Sequence, residues 1–558
     1  MRKFLYLLVI LLISYNYSYG QVQMQIANVF NTYGMQNDYI ISSKVDIYGN
    51  MILAGNSEII HRETARLRDM NFLVLKYNPY GVLIWSKSYD GGVHGVDSVR
   101  SMCLDNAGNI YVTGESQDKD FKWNALTIKY SSDGNVLWEN RYKENGYSAS
   151  MGIDIAVDDN FNSYVTGWCD ENNSFDCMLL KYDSNGRLVW KRKANGSSNL
   201  NDEGWAIDVS KSGKYIYIGG VLDEVDGYHN YALMKYNSDG DLMWQTTYDG
   251  SGSGRDYITD IKCDQYENLY ATGISEGRGT HFDITTLKLN SHGNILWTQR
   301  YNGAGDGDDW ANILRLDKDN NVYLVGGIEE KTFYDTLNLE FRNDACLIKY
   351  NTNGVFQWIG LYQGPNHYHD CIQWMDFDEE GNIYTCGRTC KNGTWESDDI
   401  HTMKFTKDGV RKWVKLFDSK ERSSDYGSNI IYNSISKSLF AIGHSYSYET
   451  AFDVILIKYT EIRNTYDSKL LLGSNSLSNY PNPFNPTTQI QFVISKDDFV
   501  KLNVYDMSGR LIKNLVESYQ TAGNHQVNFD GSSLSSGVYF YTLQTSTESI
   551  SNKFILSK

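Results

Sequence analysis

The sequence predicts an all-β protein, an eight-bladed β-propeller followed by a small C-terminal β-sandwich. Three observations carry this. A short motif ending in Lys and a large side chain recurs eight times at a nearly fixed period. Each unit holds four strand-like runs parted by Gly, Asn and Asp turns. The chain of 558 residues is rich in Tyr (43), Trp (13) and Gly (48) and holds only 5 Pro, a composition suited to short strands and tight turns.

The repeat aligns on Lys76, Lys129, Lys181, Lys235, Lys288, Lys349, Lys404 and Lys458, with spacings of 53, 52, 54, 53, 61, 55 and 54. A period held this closely marks a repeat architecture. In the second unit "DSVRSMCLD" and "IYVTG" flank the turn "NAGN", and "NALTIKY" and "NVLWENRY" flank "SSDG". Four antiparallel strands per unit make a propeller blade. No unit carries an apolar period of 3.6 residues at useful length, which excludes a helical solenoid.

Seven units carry a last strand with its aromatic, from Trp85 to Trp413, and the eighth stops after "LIKYTE". The missing strand resembles "QIANVFNTYG" (25–34), so the N-terminal strand is expected to complete the last blade within a domain of 21–460. That closure removes a free sheet edge. Seven blades is the alternative, should a terminal unit be degenerate. "DGNVLW" and "GNIYVTG" resemble the bacterial β-propeller repeats of the SBBP family. The likeness implies fold and leaves function open.

A Trp in nearly every unit reads as packing between blades, since a single substrate site would not need so many copies. Two polar positions also recur. Asn or Asp stands five residues before each aligned Lys, at Asn71, Asn124, Asp176, Asn230, Asp283, Asp344, Asp399 and Asp453. At the start of the first strand stand Asp38, Asp97, Glu203, Asp256, Asp309, Asp370 and Asp425, with Ser150 in the third unit. First strands line a propeller's channel, so these acids form a candidate binding ring at its mouth, for a cation or a sugar. The plainer reading is that they accept hydrogen bonds from backbone N–H groups where strands begin.

Turns such as "NSDG" and "DEEGN" are uniform and fall at one end of the blades. The opposite end carries uneven loops: "SEIIHRETARLRDM" (57–70), "IEEKTFYDTLNLEFRND" (328–344) and "QGPNHYHD" (363–370). Variable loops on a rigid scaffold are the usual place for binding. His367 and His369 make the one His-rich cluster, a weak metal signal without a third ligand.

The net charge of −17 argues against nucleic acid. It suits solvation and leaves Ca²⁺ possible, with no other cofactor expected. Of the 8 Cys, Cys169 with Cys177 and Cys371 with Cys390 flank hairpins and could pair after export, while Cys103, Cys263 and Cys346 read as buried thiols. The turn before Trp244 approaches a sialidase Asp-box, but no Arg trio accompanies it. An eight-bladed quinoprotein is the more serious enzyme reading, and this chain lacks the adjacent Cys pair typical of that family. The reading is therefore a non-catalytic scaffold binding protein or glycan at the variable-loop end. The alternative is an extracellular enzyme, quinoprotein-like or polysaccharide-active, with a site at the channel mouth.

"MRKFLYLLVILLISYNYSYG" (1–20) has the charged start, short apolar core and small final residue of a secretory signal peptide. No stretch is long enough for a spanning helix. Residues 461–478 read as a polar linker. Beyond it, "NYPNPFNP", "VYDMSGRLI", "SSGVYFY" and "KFILSK" resemble the C-terminal sorting domain of the type IX secretion system over 479–558. That resemblance implies Sec export, the type IX machinery as a partner, and release from the cell or attachment to its surface.

Overall fold

The computed structural model describes residues 22–461 and 476–558, less 33–36, 61–67, 92–94, 145–148, 172–173, 199–200, 211, 224–228, 253, 330–342, 366–367, 391–397, 420–423, 448–450, 481, 483, 495, 508, 522 and 547. They fall into two compact units that part after Thr460. The expected signal peptide (1–20) and most of the expected linker lie outside the described residues.

The larger unit is built of eight four-stranded antiparallel sheets. Sheet one runs Asp38–Val45, Met51–Ile60, Arg68–Tyr77 and Leu83–Tyr89, in that spatial order. Sheets two to seven repeat this meander over 97–142, 150–194, 203–248, 256–301, 310–362 and 370–417. Sheet eight takes Asp425–Asn433, Ser438–Ser447 and Ala451–Glu461, and its outer strand is Val22–Phe30 from the other end of the chain.

The strand patterns follow from position in the sheet. Trp123–Tyr130, a third strand, is buried at nearly every position because both its faces are covered. Val136–Tyr142, the fourth strand beside it, is mostly exposed or half-buried. Each first strand carries a bulge, and a glycine of the second strand sits opposite. A Cβ on Gly55 would lie 1.8 Å from the Tyr39 carbonyl oxygen, and one on Gly114 would lie 1.9 Å from that of Ser98. This close backbone approach is what the repeated glycine supplies.

Each buried cluster of the unit joins two consecutive sheets. Phe72 and Val74 of sheet one pack with Val112 and Leu126 of sheet two, and later clusters step onward to sheets seven and eight. Ile40 and Leu75 of sheet one then pack with Phe440 and Leu456 of sheet eight. Hydrogen bonds cross the same boundary. Ile40 N–H donates to His444 Nε2 at 2.7 Å, Ser43 Oγ to Asn429 at 3.0 Å, and Asn433 Nδ2 to the Gly49 carbonyl at 2.7 Å.

At the turn end one device repeats. The "NSDG" turn is held by Asn237, whose side-chain oxygen accepts from Asp239 and Asp241 N–H, with Gly240 at φ +81°. The Lys and Trp of the preceding sheet reach over to cap that turn. Lys181 Nζ and Trp190 Nε1 both donate to the Ser238 carbonyl, at 2.8 and 3.1 Å. Lys235 and Trp244 do the same to Ser291, and Lys288 and Trp297 to Thr352. The repeated Trp is an inter-sheet clip.

Of the smaller unit's two sheets, one orders Ser476–Tyr480, Thr487–Ile494 and Gly523–Asp530. The other orders Leu511–Gln520, Asp498–Tyr505, Gly537–Gln544 and Ser549–Leu556. Both contribute to one core of Ile490, Phe492, Phe529, Leu502, Tyr541 and Phe554.

All eight cysteines are free thiols, which corrects the expected hairpin disulfides. Cys177 lies opposite Trp168, and Cys169 opposite Asp176, so the two thiols point to opposite faces of sheet three. Cys371 lies opposite Arg388, two residues from Cys390. Such diagonal neighbours stand about 7–8 Å apart, too far for a bridge.

Candidate functional site

The recurring acids sit where first strands begin, at the loop end. All but Glu203 take an N–H from the residue six before them. Asp97 accepts from Gly91 at 2.5 Å, Asp256 from Gly250 at 2.9 Å and Asp309 from Gly303 at 2.5 Å. Asp370 accepts from Gly364 at 2.6 Å, Asp425 from Ser419 at 2.7 Å and Asp38 from Thr32 at 3.0 Å. A second bond ties most of them to the second strand: Thr389 Oγ1 donates to Asp370, and Glu329 N–H to Asp309 at 2.7 Å.

In sheet four this place belongs to Asp202, one residue before Glu203. Asp202 accepts from Gly196 N–H at 2.8 Å and from Asp223 N–H at 2.8 Å. Glu203 instead lies opposite Val221 in the sheet. Two adjacent acids look alike in sequence, and only the strand register separates them.

Asp38, Asp97, Asp256, Asp309, Asp370 and Asp425 are all nearly inaccessible to solvent. Burial raises each of their pKa values, to about 7 for Asp309 and Asp370 and about 6 for Asp256; Asp202 also reaches about 6. The second recurring position lies across the sheet from the first. In sheet five, Asp256, Ser275 and Asp283 line up on three successive strands, and Arg300 pairs with Asp283. Carboxylate oxygens of Asp399, Asp418 and Asp425 come within 4.8 Å of one another, a group that could coordinate a metal ion.

A second set of charges, further along the first strands, was not singled out by sequence reasoning. Asp154 accepts from Ile207 N–H of the next sheet at 2.9 Å, Asp208 from Cys263 at 2.7 Å, Asp260 from Leu314 at 2.9 Å and Asp376 from Tyr432 at 2.8 Å. Each carboxylate stitches one first strand to its neighbour. Burial pushes Asp260 up, but the Lys262 and Arg315 charges outweigh it and hold the group low. Burial, with Arg315 and Lys262 nearby, lowers Lys44. Single acids inside apolar runs carry no repeat signal.

Among the described residues, three cavities that share lining side chains lie at or beside the loop end. The middle one has a volume of about 300 Å³ and is lined by Asp308, Trp310, Glu329, Asn343, His369 and Arg388, among others. It shares His281 and Asp308 with a cavity of about 750 Å³ that reaches Arg255, Glu276 and Phe282. It shares Arg388 with one of about 420 Å³ lined by Ile40, Asn312, Gln373, Trp374, Tyr426 and His444. The three are thus linked through side chains they have in common.

Two of the uneven loops feed the middle cavity. Glu329 and Asn343 come from the ends of 328–344, and His369 and Asp370 from 363–370. His369 Nδ1 lies 3.1 Å from Asn343 Oδ1. His367, the loop centre 330–342 and residues 61–67 of the 57–70 loop lie outside the described residues. Sequence reasoning missed Trp310 and Arg388: Arg388 has no counterpart in the other units, and Trp310 follows its ring acid just as Tyr39, Tyr257 and Tyr426 follow theirs, so neither stood out as a site.

Residues 478–557 match the family described as "Secretion system C-terminal sorting domain". No curated protein matches the chain. Among solved structures, PorZ of Porphyromonas gingivalis, described as an essential bacterial surface component of the type-IX secretion system, is similar at 11% identity and a TM-score of 0.36, over 92% of this chain and 75% of its own. A eukaryotic initiation factor matches at 7% identity and a TM-score of 0.35, over 69% of this chain and 96% of that one. The polysaccharide lyase Uly1 matches at 9% identity and a TM-score of 0.36, over 65% and 90%. Likenesses at these scores bear on neither activity nor ligand.

Proposed function

We propose that this chain, an all-β cargo of the type IX secretion system, is an extracellular scaffold that binds a chain-like ligand, glycan or protein, at its loop end without transforming it. In this reading 1–20 direct export and are removed, 21–460 form an eight-bladed β-propeller, 461–478 are a linker and 479–558 are the sorting domain. No helix among the described residues is long and apolar enough to cross a membrane. The packing of sheet one on both sheet two and sheet eight supports a closed ring of blades.

The observation that carries the binding role is the linked run of three cavities at the end where loops differ. Each of these ring acids spends one carboxylate oxygen on the N–H of its own loop, which favours a scaffold role for them here. Ca²⁺ would suit the all-oxygen group of Asp399, Asp418 and Asp425. The experiment is hydrogen exchange on the mature protein with and without purified cell-envelope polysaccharide and surface protein. Protection confined to the loop end is expected. Protection at the turn end, or turnover of the polysaccharide, would overturn the reading.

A further inference from the structure

The three linked cavities differ in lining from an ordinary protein-docking groove. Each holds an aromatic side chain: Phe282 in the first, Trp310 in the middle, Trp374 and Tyr426 in the third. The polar groups beside them are mostly planar: carboxylates of Glu276, Asp308 and Glu329, amides of Asn343, Asn312 and Gln373, and the Arg388 guanidinium. Flat apolar plates flanked by fixed hydrogen-bonding groups suit sugar rings. A sugar ring offers an apolar C–H face to the plate and hydroxyls to carboxylates as acceptors and to amides and guanidinium as donors.

Trp310 is well placed as the middle plate. Gly327 lies against its indole, and a Cβ there would come within 2.6 Å of the ring. The missing side chain lets the ring lie flat on the strand, which fixes it before any ligand arrives.

Charge narrows the ligand further. The middle cavity carries the Asp308 and Glu329 carboxyls against one guanidinium, Arg388, which already faces Asp398 at 3.7 Å. The His281 and Asp308 side chains stand 3.6 Å apart, so that imidazole is matched by its own carboxylate. An acidic sugar would meet repulsion here, whereas neutral hydroxyls find acceptors.

Resting on the loop-end binding reading, we propose that the three cavities are consecutive subsites for a neutral polysaccharide, with one sugar ring stacked on Trp310. The test is calorimetric titration of the full mature chain with neutral hexasaccharides (cellohexaose, maltohexaose and mannohexaose) and with hexagalacturonate. At least one neutral hexasaccharide binds, and hexagalacturonate binds more weakly. Trp310→Ala weakens the neutral ligand by about tenfold or more, the scale of an aromatic anchor.

Should Trp310→Ala fold poorly, Asp308→Ala serves. Its side chain is 59% exposed, so the fold tolerates its loss, and it too weakens binding. The proposal is overturned if no neutral hexasaccharide binds, if hexagalacturonate binds more tightly, or if a folded Trp310→Ala, or Asp308→Ala in its place, binds like the parent. Loop-end protection by an envelope protein without glycan binding would sink this inference and leave the broader reading standing.

Discussion

The two ends of the same eight sheets are built on different rules. At the turn end most sheets repeat the same parts: a short polar side chain that folds the turn, a Gly at positive φ, and a Lys, a Trp or both from the neighbour capping the turn carbonyl. At the loop end the Asp clamp and the Asn or Asp across the sheet from it recur, and the loops beside them vary in length and chemistry. Repetition marks interactions every sheet needs in order to pack. Chemistry that only one ligand needs gathers where repetition stops.

The largest effect tests the turn end. Trp244→Ala removes a half-buried indole and its bond to Ser291, and should cost about 2–3 kcal/mol by denaturant unfolding, with ligand affinity unchanged. A loss below about 1 kcal/mol would show that the clip is ornamental. Next comes the clamp. Asp256→Ala leaves the buried Gly250 N–H without its acceptor and should cost about 1–3 kcal/mol, again without affecting ligand affinity.

pH sharpens the same contrast. The clamp acids have folded pKa values above the unfolded 3.8, reaching about 7 at Asp309 and Asp370. A raised acid contributes stability that is full below its unfolded pKa and is lost as pH rises through the folded value. His401 and His444 are lowered by burial from 6.5 to about 4, so their contribution is present above pH 6.5 and lost as pH falls through 4. Above pH 6.5 only the acids act, and the melting temperature should fall between pH 6.5 and pH 8. Asp370→Asn should flatten that fall, and an unchanged slope would remove the clamp acids as its source. The smallest effect on stability belongs to the loop end. Asp308→Ala should stay within about 0.5 kcal/mol of the parent.

How far the sequence discloses this molecule follows the same division. The aligned Lys marks out every sheet and the aligned Trp seven of them, because the copies perform one packing task. The N-terminal strand shows itself by its likeness to a fourth strand. Glu203 stands for Asp202 because neighbouring acids are interchangeable in an alignment, while strand register is not. Cys169 and Cys177 invite pairing on spacing alone, and the alternation of a strand turns them to opposite faces. Trp310 and Arg388 are not singled out beforehand because the cavity they line is shared between sheets, and a cavity between sheets leaves no period in the chain.

The most direct test compares two tryptophans in one experiment, measuring unfolding free energy and neutral-hexasaccharide affinity for Trp244→Ala and Trp310→Ala side by side. The account predicts that Trp244→Ala loses stability and keeps affinity, whereas Trp310→Ala loses affinity by about tenfold and keeps most of its stability. If Trp244→Ala loses affinity while remaining folded, or Trp310→Ala binds as the parent does, the division between a repeating scaffold end and a non-repeating binding end is contradicted.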